Sequence, residues 1–472
     1  MVQRCAAVGV DIYVDAVINH MAALNRNYPE VPYGPNDFNN CTTNINYSDA
    51  WQVQNCDLVG LNDLKTSSDY VRGKIADYMN DLTSLGVKGF RIDAAKHMPA
   101  ADIDNILSRL HGNPYIFQEV IGAASEPIKT THYNHLSDVT EFNFSDTLGH
   151  YFKGRAQLKD LRHILTWDGW LPSHDAQVFV ANHDNQRQNT SNIITHKDGH
   201  SVNQLAHAFM LAYPYGYPSV MSSFDWNDHD QGPPASTASY CDNGWLCEHR
   251  QREIANMVGF RKATQSAFYL SNWWDNGGNQ IAFGRGDKGF IFINGENNAT
   301  THTLQTGLSE GSYCDVYSAD FTHDSCSGNI INVSSNGLAT FTVSGKSAIA
   351  IHVNAKVGAS SSSSSSAAHS SSAGAVSVHF SCNYGTTTLG QSVYVIGNVA
   401  QLGNWTTSQA VKLNPTTYPT WSGSITVPAN STIEWKCLKR SESNPTQNLV
   451  WQSGSNNTLT TGNSNTSASA SF

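Results

Sequence analysis

The stretch GVKGFRIDAAKH, residues 86–97, decides the fold. From Gly86 to Ile92 it is an apolar run without strict alternation, the pattern of a strand buried on both faces, and Arg91 and Asp93 gather at its C-terminal end. Working outward, Val10 to Val17, Tyr115 to Val120 and Ala176 to Ala181 repeat the pattern, each leading into polar residues. Helical periodicity lies between them: Asp69 to Leu85, with Tyr70, Ile75, Tyr78, Met79 and Leu82 on one face, and Asp102 to Leu110. The βαβα order predicts a parallel sheet, and polar strand ends are where a (β/α)8 TIM barrel carries its active site.

The alternation breaks between His20 and Ser68, a span rich in Asn and holding Pro29, Pro32 and Pro35. It is too long for an ordinary connection and reads as a subdomain inserted at 21–68 over the barrel mouth. The barrel is expected over 1–265 and an all-β domain over 266–354, where Gly-rich turns separate short alternating strands. A Ser/Ala/Gly tract at 355–374 cannot build a core; it reads as a flexible tether spanning on the order of 25 Å. Short strands rich in Val, Tyr and Trp then predict a β-sandwich over 375–472.

Charged residues are only 14% of the 472, against about 25% in ordinary soluble proteins, so uncharged polar groups make up the surface, which suits neutral polar ligands. A formal charge of −10 argues against nucleic acid as a partner, and no apolar run is long enough to cross a bilayer. Of nine cysteines, eight fall into local pairs: Cys41 with Cys56, Cys241 with Cys247, Cys314 with Cys326, and Cys382 with Cys437. None has the spacing of a zinc or redox motif, so disulfides in an oxidising compartment are expected, with Cys5 left over. A secreted monomer fits this composition.

The strand ends offer Asp15 with Asn19 and His20, Arg91 with Asp93, Glu119, and His183 with Asp184. Carboxylates, histidines and an arginine on one rim suit glycosidic cleavage, in which one carboxylate attacks the anomeric carbon and another protonates the departing oxygen. DAVINH (15–20), GFRIDAAKH (89–97), FQEVI (117–121) and FVANHD (179–184) resemble, in order, the four signature regions of the α-amylase family, glycoside hydrolase family 13. CEHR (247–250), FGRGDKGF (283–290) and LQTGL (304–308) are similar to animal-type members of that family.

The resemblance implies Asp93 as nucleophile, Glu119 as general acid/base and Asp184 as the carboxylate that steadies the oxocarbenium-like transition state. Asp15, His20, Arg91 and His183 would surround the sugar being cleaved, and Lys96 and His97 would contact the next glucose on the leaving side. It further implies a structural Ca²⁺ held by Asn19, Asp63 and the carbonyls of Gln54 and His97. Chloride would sit on Arg91 and Asn182, but the third, basic ligand of that pattern stands as Ser219, which speaks against the anion. GQSVYVIGNVAQLGNW (390–405) and IEWKCLKR (433–440) resemble a starch-binding domain, carbohydrate-binding module family 20. There Trp405, Trp451 and Lys436 match one sugar site, and Tyr418 part of a second whose other aromatic is replaced by Leu389; Trp421 and Trp435 read as core.

The opening MVQRCAAVGVDIYVDAVINH lacks a signal-peptide pattern and reads as a helix end running into a strand, so Met1 is expected to be internal to a longer protein, from which a secretion signal is lost. Relative to the family the chain starts just before the third barrel strand. The partner of Cys5 would lie upstream, and open sheet edges would make the chain unstable or prone to aggregate. The expected function is retaining endo-hydrolysis of α-1,4 links in starch, glycogen and maltooligosaccharides. An exo-acting or transglycosylating relative, or a non-catalytic starch-binding fragment, would share these motifs.

Overall fold

The computed structural model describes all residues except 24–25, 189–191, 236–240, 242, 323, 359–374, 389–390, 443–445, 463 and 465. Leu389 and most of the Ser-rich tract therefore lie outside the described residues. Two compact units form, 1–362 and 363–472.

The first unit is built on six strands hydrogen-bonded in chain order, all parallel: β1 (Tyr13–Ala16), β2 (Gly89–Ile92), β3 (Tyr115–Gln118), β4 (Asp138–Thr140), β5 (Ala176–Phe179) and β6 (Tyr217–Ser219). The four strands read from apolar runs are shorter than those runs: β1 at both ends, β2 at its N-terminal end, and β3 and β5 at their C-terminal ends. β1 and β6 are the sheet's edges. Burial on both faces, expected for every strand, fails at β1: Tyr13 is 46% and Val17, just past the strand, 49% exposed, because an edge strand lacks one neighbour. Gly89 allows no side chain, since a Cβ there would stand 2.6 Å from the Tyr115 carbonyl and 2.8 Å from the Tyr13 ring.

The helices are α1 (Val2–Ala6), α2 (Ala50–Val53), α3 (Asp69–Ser84), α4 (Ala100–Leu107), α5 (Phe142–Phe152), α6 (His200–Ala212) and α7 (Arg252–Ala263). In α3 the buried arc is Val71, Ile75, Ala76 and Met79, whereas Tyr70 and Tyr78 are half exposed, so the expected face is rotated. Tyr70 instead donates its hydroxyl to the carbonyl of Pro32 in the insertion, 2.7 Å away. α4 starts two residues before the expected Asp102, directly after Pro99, whose fixed φ suits a helix start. Ile75 and Met79 of α3, Ile103 and Ile106 of α4 and Phe209 of α6 share one core with Phe90, Ile92, Val139 and Val178 of the strands. Each such side chain contributes roughly 1.5–3 kcal/mol by leaving water.

The insertion returns to the barrel through a bridge between His20 and Asp63, and the Cys41–Cys56 disulfide crosses it. Beyond α7, two four-stranded sheets enclose a core of Phe290, Phe292, Phe341 and Ile351, with Cys314 joined to Cys326. The second unit is a β-sandwich in which Trp421 and Trp435 are buried. Its Cys382–Cys437 disulfide closes a 55-residue separation, worth about 4 kcal/mol in the chain-entropy account.

Candidate active site

Register assembles the site. Asp15 pairs with Arg91 across β1 and β2, and Ile92 with Gln118 across β2 and β3, so Asp93 and Glu119 leave the sheet side by side. One guanidinium serves three acids: Arg91 Nη1 lies 2.7 Å from Asp15 Oδ1 and 2.8 Å from Asp93 Oδ1, and Nη2 lies 2.7 Å from Glu119 Oε1. The Glu119 contact is off the N–H axis, an ion pair without a hydrogen bond. Glu119 Oε2 accepts instead from the N–H of Ala94, 3.0 Å away. Ala94 adopts φ +47°, a left-handed conformation unusual for a residue with a Cβ, and this turn after Asp93 is what aims its N–H at Glu119.

Burial pushes the Glu119 carboxyl above its ordinary value, and the Asp93 and Asp184 charges add to this, while Arg91 and the Ala94 N–H pull it back. Burial also lowers His20. Asn19 Nδ2 faces its Nδ1 at 3.3 Å, so the proton of the neutral ring sits on Nε2, available to a hydroxyl. His97 is pushed down to about 4 by burial and donates Nδ1–H to the Val53 carbonyl, 2.8 Å away.

A cleft of about 560 Å³ brings Asp93, Glu119, Asp184, Lys96 and His97 together. His183 Nε2 stands 3.4 Å from Asp184 Oδ2, and both side chains are about half exposed. Lys96 is already engaged: it pairs with Glu126, donates to the Ile121 carbonyl at 2.7 Å and lies over the Tyr47 ring. Sequence reasoning missed Tyr47, Glu126, Gln188 and His229 on the cleft wall. They sit in irregular segments, and only an aromatic or acid in a polar loop could have flagged them.

Two of the expected calcium ligands, Asn19 and Asp63, lie where the insertion joins the barrel. Asn19 is fully buried with its Oδ1 unpartnered. Asp63, bridged to His20, is buried and pushed up to about 7, chiefly by desolvation; its Oδ2 accepts from Asn39 at 2.7 Å. An orphaned amide oxygen beside a buried carboxylate fits a hard divalent cation. The residues fit chloride poorly: Arg91 is shared among three carboxylates, and the position of the basic ligand is the neutral Ser219, whose Oγ accepts from Gln177.

In the second unit, Trp405 packs against a small cluster containing Leu438, the register partner of Trp451, which is 40% exposed. Lys436 donates to the carbonyls of Gln452 and Gly454, and Tyr418 is exposed, its hydroxyl accepting from the Thr387 N–H.

Acids gathered by one arginine at the C-terminal ends of parallel barrel strands define a glycoside hydrolase on a (β/α)-barrel scaffold. Residues 271–354 match the α-amylase C-terminal all-β domain and 375–471 the starch-binding domain. An α-amylase of Streptomyces violaceus is 44% identical over 98% of this chain and 80% of its own length. One from Tribolium castaneum is 46% identical over 76% and 80%. The crystal structure of α-amylase I from Eisenia fetida superposes with a TM-score of 0.69 at 40% identity, over 75% of this chain and 83% of that one. The chain belongs to the α-amylase family, with α-amylase function and with starch and maltooligosaccharides as its ligands.

Proposed function

We propose that the cleft cleaves α-1,4 links within starch and glycogen by double displacement. Asp93 attacks the anomeric carbon while Glu119 protonates the departing oxygen, giving a covalent glycosyl enzyme; Glu119 then takes a proton from the water that releases it. The supporting observation is the shared Arg91: one guanidinium bonded to Asp93 and paired with Glu119 keeps them near the close spacing, about 5 Å, of a retaining pair. Asp184 faces the opposite side of the cleaved sugar, and His20, His183 and Asp15 bind its hydroxyls. Lys96 and His97 take the leaving-group side.

Asn19, Asp63 and the carbonyls of Gln54 and His97 would hold Ca²⁺, which supplies charge to tie the insertion down rather than to react. Trp405, Trp451 and Lys436 form the sugar platform of the second unit, with Tyr418 a lesser one. The division at 265/266, 354/355 and 374/375, a monomeric state and secretion complete the reading; four disulfides support an oxidising compartment. The test is Asp93→Asn and Glu119→Gln: each should lower kcat on maltooligosaccharides by a factor of about 10³ or more, and near-wild-type turnover in either would refute the roles.

A further inference from the structure

Asp184 is followed at once by a short 3₁₀ turn, Asn185–Arg187, and the Arg187 N–H closes it onto the Asp184 carbonyl at 2.9 Å. Among the described residues no carboxylate pairs with Arg187. Its guanidinium carbon lies instead 4.8 Å from the centre of the Phe224 ring and 4.5 Å from that of Trp226. Its Nη1 donates to the carbonyls of Asp228 and His229, at 3.1 and 3.2 Å. Trp226 is 8% exposed and takes a second cation, Lys197, 4.6 Å from its ring centre, with His196 edge-on at 4.7 Å. The 224–231 segment thus gained sends His229 into the cleft wall that also carries Asp184 and Gln188.

We propose that Arg187 is a positioning residue, clamping Phe224 and Trp226 so that the 224–231 segment is held as the cleft wall beside Asp184. A planar guanidinium can lie between two rings while its rim N–H groups reach carbonyls, a fixed fork that the compact, rotating ammonium of Lys does not reproduce. Asp184 and His229 are therefore set by one side chain, and loosening it displaces both. The inference rests on Asp184 serving glycosidic cleavage in this cleft.

The test uses the full chain with Arg187→Lys, Arg187→Ala and Trp226→Leu. Amides at 225, 227 and 231 are hydrogen-bonded, so their hydrogen exchange reads the clamp without turnover. Exchange there should quicken roughly tenfold or more in Arg187→Ala and Trp226→Leu, with β2 and β3 unchanged. In turnover, Arg187→Lys should lose about tenfold or more in kcat with a smaller change in KM. Free guanidinium, and not ammonium, should restore kcat to Arg187→Ala. Unchanged exchange in both variants overturns the clamp whether or not the chain hydrolyses starch. Quickened exchange with wild-type kcat, or a kcat loss that guanidinium leaves unrepaired, overturns the positioning role.

Discussion

Glu119 shows how one residue carries opposite demands. Its proton must stay on near neutral pH for acid catalysis, and burial supplies this by raising its affinity for the proton. Linkage fixes the sign for stability. A carboxyl raised in the folded state favours folding fully below its unfolded value of about 4.5, and that contribution is lost as pH rises through the folded value. Glu119→Gln should therefore melt at a higher temperature than wild type at pH 8, with the gap narrowing towards pH 4; a constant gap in calorimetry would contradict the assignment. The alkaline limb of kcat/KM should move up when Arg91 is replaced by Gln, because the guanidinium holds the Glu119 proton less tightly bound than burial alone would. At this scale the sequence was informative. Arg91 and Asp93 lie two residues apart on one strand, so their contact is local, and Glu119 joins them through a single register. Arg187 and Trp226 were invisible because their meeting depends on how two irregular segments fold over the barrel, for which no periodicity exists.

Strands and helices were legible as elements, less so as bounded objects. Apolar runs overstate strand length: Val10–Val17 yields only Tyr13–Ala16, since the ladder ends before the apolar residues do. Tyr70 misled the reading of α3 because an aromatic can pack on an insertion as readily as on the core. Where the insertion meets the barrel, Asn19 and Asp63 are buried oxygen donors, and Asn19 Oδ1 has no protein partner while Asp63 Oδ2 accepts from Asn39. Chelation of calcium should lower Tm by several degrees, as the loss of about 1–2 kcal/mol would in a domain of this size, and Asn19→Ala should lower Tm and make it indifferent to the chelator. A melting curve unmoved by chelation would remove the site. Replacing chloride by nitrate should leave kcat unchanged, because Ser219 stands where a basic ligand would be needed and Arg91 is already shared among three carboxylates; a several-fold fall would restore the anion.

For the molecule as a whole, the two compact units divide the work between cutting and holding. Family motifs made both units readable, since sugar platforms and catalytic acids need particular residue types at set spacings. Burial alone separates the buried Trp421 and Trp435 from the exposed Trp451, and composition does not. Trp451→Ala should weaken retention on granular starch roughly tenfold, the worth of one ring stacked on a sugar, while kcat on soluble maltooligosaccharides stays put; equal retention would place the platform elsewhere. The central claim is that Asp93 and Glu119 form a retaining pair at the ends of β2 and β3. The most direct measurement is the anomeric form of the first reducing ends released from a soluble maltooligosaccharide by the full chain, followed by NMR, beside Asp93→Asn. The account predicts α-anomeric product and none from the variant. β-anomeric product, or release undiminished in Asp93→Asn, would contradict it.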